Sequence, residues 1–349
     1  MRIALVTPAA AGTRHGNANT AARWARFLRG LGHRVTVQLS WDGRAADALI
    51  ALHARRSHDS VVRFASAFPE RPLVLALTGT DLYRDIRTSA AARRSLEIAT
   101  RLVVLQDRGR AELPAARRAK TRVIYQSSPS VAAPPPLTDR FEVIVSGHLR
   151  DEKDPFRCAA ALRHLPPASR IAVTHMGGAR DPDLARQALD WQAREPRYRW
   201  LGSLPHRKAL RHLARGRLMV ISSRMEGGAN VVSEALAHGV PVIASRISGN
   251  IGMLGGDYAG YYPLGDERAL ARLLARAESD ARFYRRLKAQ CRARKHLVSV
   301  ARERESLRRL LAEFAPRSLK RSSAKKPKIP PSKANSSTPR TQIRKGKHR

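Results

Sequence analysis

Two blocks of short apolar runs alternating with longer amphipathic ones, separated by the stretch SSPSVAAPPPLTDR, constrain this chain more than any other feature. A continuous apolar run bounded by turn residues fits a strand buried on both faces. A following segment with helical spacing supplies the crossover that parallel strands need. In the first block this reading predicts strands at 3–7, 34–38, 48–52, 73–77 and 102–105, with helices at 18–29, 57–67 and 88–99. In the second it predicts strands at 143–146, 170–174, 198–201, 218–222 and 241–244, with helices at 155–163, 183–194, 206–214 and 229–237. Three successive prolines between the blocks prevent helix and favour an extended connector. The expected architecture is α/β: two Rossmann-like doubly wound domains, at 1–126 and 141–295, joined by a Pro-rich linker at 127–140. Facing sheets of this kind bring the carboxyl ends of their strands to one cleft, where open α/β sheets bind ligands.

The charge qualifies this picture. The 349 residues carry a formal net charge of +38, yet 43% are hydrophobic, enough to fold a core. Residues 316–349 hold 12 Lys and Arg with no Asp or Glu; 38 less 12 leaves +26 for the remainder. That last segment lacks the apolar residues to fold and is expected to be a disordered basic tail. A basic body attracts anions, and both nucleic acid and a small phosphorylated molecule satisfy that charge. The Lys-rich KKPK of the tail lacks interleaved aromatic residues for base stacking, so no specific nucleic acid partner is expected. The two cysteines, Cys158 and Cys291, lie far apart with no ligand-spaced partners, which points to neither a disulfide framework nor a zinc site and fits a cytoplasmic location. No apolar run reaches the roughly 20 residues a membrane span requires.

Chemistry concentrates in the second block. In SSRMEGGANVVSEALAHGVPVIAS, Glu226 closes the loop after a strand, Gly227 and Gly228 permit close backbone approach, and a helix opens at about Ala229. The free N–H groups at that helix start, Gly228, Ala229, Asn230 and Val231, form an anion site. Glu234 follows Glu226 by eight positions, about 12 Å along a regular helix. A nucleotide sugar laid across this span puts its diphosphate on the helix start, its sugar near Glu226 and its ribose near Glu234. In the first block, strand ends offer Gly16 and Asn17, the cluster His53, Arg55, Arg56 and His58, and Thr80 with Asp81. These are the expected acceptor-binding groups, and their basic character suits a small anion.

The stretch from Glu226 to Glu234 resembles the E-x7-E motif of retaining GT-B glycosyltransferases of the family 4 type. That resemblance implies that the first Glu contacts the donor sugar and the second the nucleotide ribose. The family usually carries Gly-Arg-Leu and then a Lys after the first strand of the second domain, a pair that neutralises the leaving diphosphate. In GHLRDEKDPFR the Lys is matched by Lys153, but His148 stands in the Arg position and Arg150 follows. Either can replace the missing contact; Arg150 is preferred because a guanidinium stays charged and binds phosphate oxygens bidentately. ALHARRSH, ALTGTDLY, VIYQS, GHLR with KDPFR, YRWLG and SSRMEGGANVVSEAL together resemble the selenosugar synthases of selenoneine biosynthesis over nearly all of 1–315. The implied reaction joins the sugar of UDP-N-acetylglucosamine or UDP-glucose to selenophosphate. The implied fold is GT-B, with a helix at 296–315 crossing back to the first domain. Glu226, Arg150 and Lys153 are then the catalytic candidates, with His148, Gly227, Gly228, Ala229, Asn230, Val231 and Glu234 on the donor. No cofactor and no metal are expected, since Asp181-Pro182-Asp183 reads as a helix cap despite its D-x-D form. The expected partners are small-molecule substrates, with handover of product to a following enzyme.

Overall fold

The computed structural model describes residues 1–10, 16–179 and 181–314. The expected basic tail at 316–349 and residues 11–15 of the first loop lie outside them. The N-terminal sheet comprises β1 (Arg2–Val6), β2 (Arg34–Gln38), β3 (Ala48–Leu52), β4 (Leu73–Leu77), β5 (Arg101–Val104) and β6 (Thr121–Val123), ordered β2-β1-β3-β4-β5-β6. Every pairing in it is parallel. Its helices are α1 (Gly16–Arg29), α2 (His58–Ala67), α3 (Ile86–Thr88), α4 (Ala90–Ile98) and α5 (Ala115–Arg118). The C-terminal sheet comprises β7 (Phe141–Ser146), β8 (Ile171–Met176), β9 (Tyr198–Trp200), β10 (Leu218–Ile221), β11 (Val242–Ser245) and β12 (Tyr261–Tyr262), ordered β12-β11-β10-β7-β8-β9 and again parallel throughout. Around it lie α6 (Arg157–Leu162), α7 (Pro182–Arg194), α8 (His206–Arg215), α9 (Asn230–His238) and α10 (Ser248–Leu254). The chain then runs through α11 (Glu267–Ser279), α12 (Ala281–Arg294) and α13 (Val300–Ala312). This is the expected doubly wound α/β architecture. None of these helices is long and apolar enough to cross a membrane.

Strand order decides where a ligand can sit. In each sheet the order reverses direction once, between β1 and β3 in the first and between β7 and β10 in the second. At such a switch point the neighbouring connections leave to opposite faces and open a crevice at the strands' carboxyl ends. Thr7 and His53 stand at one crevice, Gly147 and Ser222 at the other.

Among the elements with no counterpart in the expectations are β6, α5, α10 and β12. β12 is two residues long and β6 holds one apolar residue, so neither shows a period. α10, SGNIGML, carries two glycines that disfavour helix. Packing forces both: a Cβ on Gly249 would collide with the Glu226 backbone, and one on Gly252 with the Gln106 side chain. The short helix thus nests between the second site loop and the first domain.

α13 crosses back onto the first domain. Its Leu307, Leu310 and Leu311 join Ile3, Leu5, Trp24 and Ile124 in one buried cluster. Each such leucine contributes about 1.5–3 kcal/mol of burial. Glu303 on the same helix is fully buried, and its carboxylate accepts from Arg23 Nε (2.9 Å), Trp24 Nε1 (2.8 Å), Ser127 N (2.7 Å) and Ser127 Oγ (2.5 Å). One carboxylate therefore ties together α1, the start of the linker and the returning helix.

Candidate active site

The C-terminal side of the cleft is built by stitching two loops at the carboxyl ends of β7 and β10. Ser222 donates to the carbonyls of Lys153 (3.0 Å) and Asp154 (2.8 Å), and Arg224 N donates to Glu152 O (2.8 Å). These bonds fix the one-turn 3-10 helix Asp151–Lys153 beneath the β10–α9 loop. Lys153 Nζ then reaches Glu226 Oε1 at 2.5 Å, and Ser223 Oγ donates to the same oxygen at 2.6 Å. Glu226 is buried. It lies in the loop before α9, whose N-cap is Ala229, the helix start expected from the sequence. Gly239, with φ 70°, ends the helix.

A cavity of about 760 Å³ opens between the two sheets. That volume fits a nucleotide sugar with a small second substrate. Its C-terminal wall carries His148, Arg150, Lys153, Glu226, Gly228, Ala229, Asn230, Val231 and Glu234. Its N-terminal wall carries Gly16, Asn17, His53, Arg56 and Thr80. The first turns of α1 and α9 face each other: a Cβ on Gly16 would lie 3.7 Å from Asn230 Nδ2. Two helix N-termini with their positive dipole ends on one space strongly favour an anion there. His148 and Arg150 both reach the wall; Gly178 N lies 3.2 Å from His148 Nδ1, so one ring nitrogen is engaged by backbone.

Four expected residues are placed otherwise. Gly227 is off the cavity wall: a Cβ there would meet the backbone of Thr78 and Gly79, so its bareness serves contact between the domains. Asp81 is fully buried and accepts from Ala54 N (3.0 Å), Thr78 N (3.0 Å) and Gly79 N (2.8 Å), which consumes its carboxylate in shaping two loops. Arg55 turns from the cavity to Asp85 Oδ2 at 2.9 Å. Burial pushes the Asp85 carboxyl up, but the bonds from Arg55 and Arg84 outweigh it and leave its pKa below the ordinary value. His58 likewise faces away, with Nδ1 2.9 Å from Ser95 Oγ.

His53 is unusual in its backbone. Its φ of 77° places a non-glycine residue in the left-handed region, which costs of order 1–3 kcal/mol and recurs at functional sites. Its ring lies 3.2 Å from Thr80 Oγ1 through Nε2. Burial lowers its pKa, and Asp81 opposes this only in part, so at neutral pH the ring is uncharged and offers hydrogen bonds rather than the expected positive charge. The cations of this wall are Arg29, Arg56 and Arg84.

Ser223, Arg84, His175 and His206 were absent from the expected set. His175 is wholly buried behind the site, with Nδ1 2.8 Å from Tyr198 Oη and Nε2 3.3 Å from Gly147 O; burial lowers its pKa to about 4. His206, at the start of α8, places Nε2 2.9 Å from Glu234 Oε1. That bond raises its pKa. No spacing pattern marks Arg84, His175 or His206, because they meet the motif only in three dimensions; Ser223 lies within it, three residues before Glu226.

The fold and the cleft define a two-domain α/β protein of the GT-B type. Residues 131–294 match the family model described as Glycosyl transferases group 1. Comparison with curated proteins finds no match. Among solved structures, HepE of Anabaena in complex with UDP and glucose superposes with a TM-score of 0.70 at 17% identity, covering 90% of this chain and 100% of that one. The sucrose-phosphate synthase of Thermosynechococcus elongatus gives 0.69 at 17% identity over 90% and 98%. An E. coli trehalose-6-phosphate protein bound with UDP-2-fluoro glucose gives 0.70 at 12% over 91% and 100%.

Proposed function

We propose that this protein transfers a sugar from a UDP-sugar to selenophosphate, forming a carbon–selenium bond. The observation that carries this reading is the convergence of charge on one cavity. Lys153, Arg150 and the first turn of α9 stand on one wall, and Arg56, Arg84 and the first turn of α1 on the other. Two anions meet in such a reaction, the donor's diphosphate and the nucleophile, and each needs its own cations. An uncharged sugar acceptor has no use for the second set. The choice of UDP-sugar is supported by the glycosyl transferase match of the C-terminal half and by UDP or UDP-sugar ligands in similar structures. The choice of selenophosphate is supported by the motif resemblance together with the basic N-terminal wall.

In this reading a selenium lone pair attacks the anomeric carbon as the bond from that carbon to the diphosphate oxygen breaks. UDP leaves with the electron pair. Water then cleaves the phosphorus–selenium bond of the adduct, releasing phosphate and the selenosugar. Lys153 and Arg150 offset charge developing on the diphosphate, and Glu226, held by Ser223, faces the sugar. This set of cations requires no resident metal or cofactor.

The test is mass spectrometry of reactions containing the purified full chain, UDP-glucose or UDP-N-acetylglucosamine, and selenophosphate. Consumption of donor only when selenophosphate is present, with a selenium-containing sugar as product, supports the reading. Transfer to sugar or lipid acceptors without selenium chemistry would identify an ordinary family 4 type glycosyltransferase instead.

A further inference from the structure

Glu234 presents a carboxylate to the cavity that is engaged at one oxygen only. His206 Nε2 lies 2.9 Å from Oε1, and among the described residues no other side chain bonds to this carboxylate. Glu234 is largely buried, with 14% of its side chain exposed, while His206 is 57% exposed at the cavity mouth. His206 is the first residue of α8 and follows Pro205, so its backbone is fixed while its ring reaches across to α9. A glutamate has three side-chain torsions, and ordering them costs free energy each time a ligand binds. A hydrogen bond that holds the carboxylate in one orientation beforehand removes that cost.

We propose that His206 is a positioning residue for the nucleotide: it anchors Oε1 of Glu234 so that Oε2 is presented to the ribose hydroxyls of the donor. The inference rests on the assignment of Glu234 to the ribose made above. His206 itself need not touch the ligand. Its charged neighbours are Glu234 on α9 and Arg23 on α1, with Arg207 and Lys208 beside it on α8. Arg23 is already paired with Glu303, which leaves His206 as the side chain committed to Glu234.

Calorimetry on the full chain with UDP and with 2′,3′-dideoxy-UDP separates this role from a structural one. His206→Ala should weaken UDP about fivefold to tenfold, the range of one ordinary hydrogen bond, and weaken the dideoxy ligand less than twofold. His206→Gln, which keeps a donor, should restore most of the loss. Equal weakening of both ligands would overturn the proposal, since a collapsed site does not distinguish hydroxyls. So would an unchanged UDP affinity in His206→Ala while Glu234→Ala loses affinity, because the pair is then incidental. If Glu234→Ala itself leaves UDP binding unchanged, the ribose assignment falls and this inference with it.

Discussion

Gly227 of the C-terminal domain and Thr78 of the N-terminal domain touch through their backbones: a Cβ on Gly227 would sit 2.5 Å from the Thr78 carbonyl oxygen and 2.7 Å from Gly79 N. The cleft is closed at this point by the absence of a side chain. Gly228 repeats the relationship against Leu105. Two adjacent glycines after Glu226 thus set how near the N-terminal wall comes to the C-terminal wall.

Gly227→Ala should accordingly hold the domains apart. Backbone atoms cannot yield as a side-chain tip does, so relief comes through opening of the cleft, at about 1–3 kcal/mol. We expect kcat/KM for the proposed sugar transfer to fall at least about tenfold, as 1.4 kcal/mol implies, with secondary structure retained by circular dichroism. Unaltered kcat/KM would mean that the approach is not needed for turnover.

Loss of Glu303 should be felt as stability. Its carboxylate is wholly buried and satisfies donors from Arg23, Trp24 and Ser127. Truncation to Ala leaves a largely buried guanidinium and three buried donors, Trp24 Nε1, Ser127 N and Ser127 Oγ, without their acceptor, a loss of about 3–5 kcal/mol. Urea unfolding should show a lowered midpoint for Glu303→Ala; a midpoint equal to that of the parent protein contradicts the keystone role.

Acid should destabilise the protein through His175. The buried ring is neutral when folded, with a pKa of about 4, while the unfolded chain takes up a proton near 6.5. A depressed histidine contributes stability above the unfolded value, lost as pH falls from 6.5 towards 4, by about 2 kcal/mol at pH 5. Denaturation at pH 7 and pH 5 should show this loss, and His175→Gln should reduce the difference. Identical slopes in both proteins would assign the acid sensitivity elsewhere.

Turnover should survive excess EDTA, because Lys153, Arg150 and the α9 start supply the charge that a metal would otherwise bring. Lys153→Met should lower kcat about 10²–10³-fold, in line with removal of a single preorganised group. Abolition by EDTA and rescue by Mn²⁺ would show that the cations on the wall are insufficient.

Periodicity and local punctuation determined most of the fold. Continuous apolar runs such as ALIAL at β3 and LVLAL at β4 can only be buried strands, and their rhythm with amphipathic segments dictates parallel pairing. The linear motif around Glu226 and the turn at Lys153 were legible for the same reason: their chemistry lies within a few residues on one loop. What only tertiary structure decided are contacts between segments distant in sequence. Asp81 looked like a ligand-binding carboxylate until its oxygens were found on the loop N–H groups of Ala54, Thr78 and Gly79. Glu303 is 280 residues from Arg23 and reads in sequence as one charge of a solvated helix. His206 reads as a helix start, yet the packing of α8 beside α9 sets it on Glu234. A side chain's partner depends on which elements the core packs together, a decision made by burial over the whole chain and recorded in no local pattern.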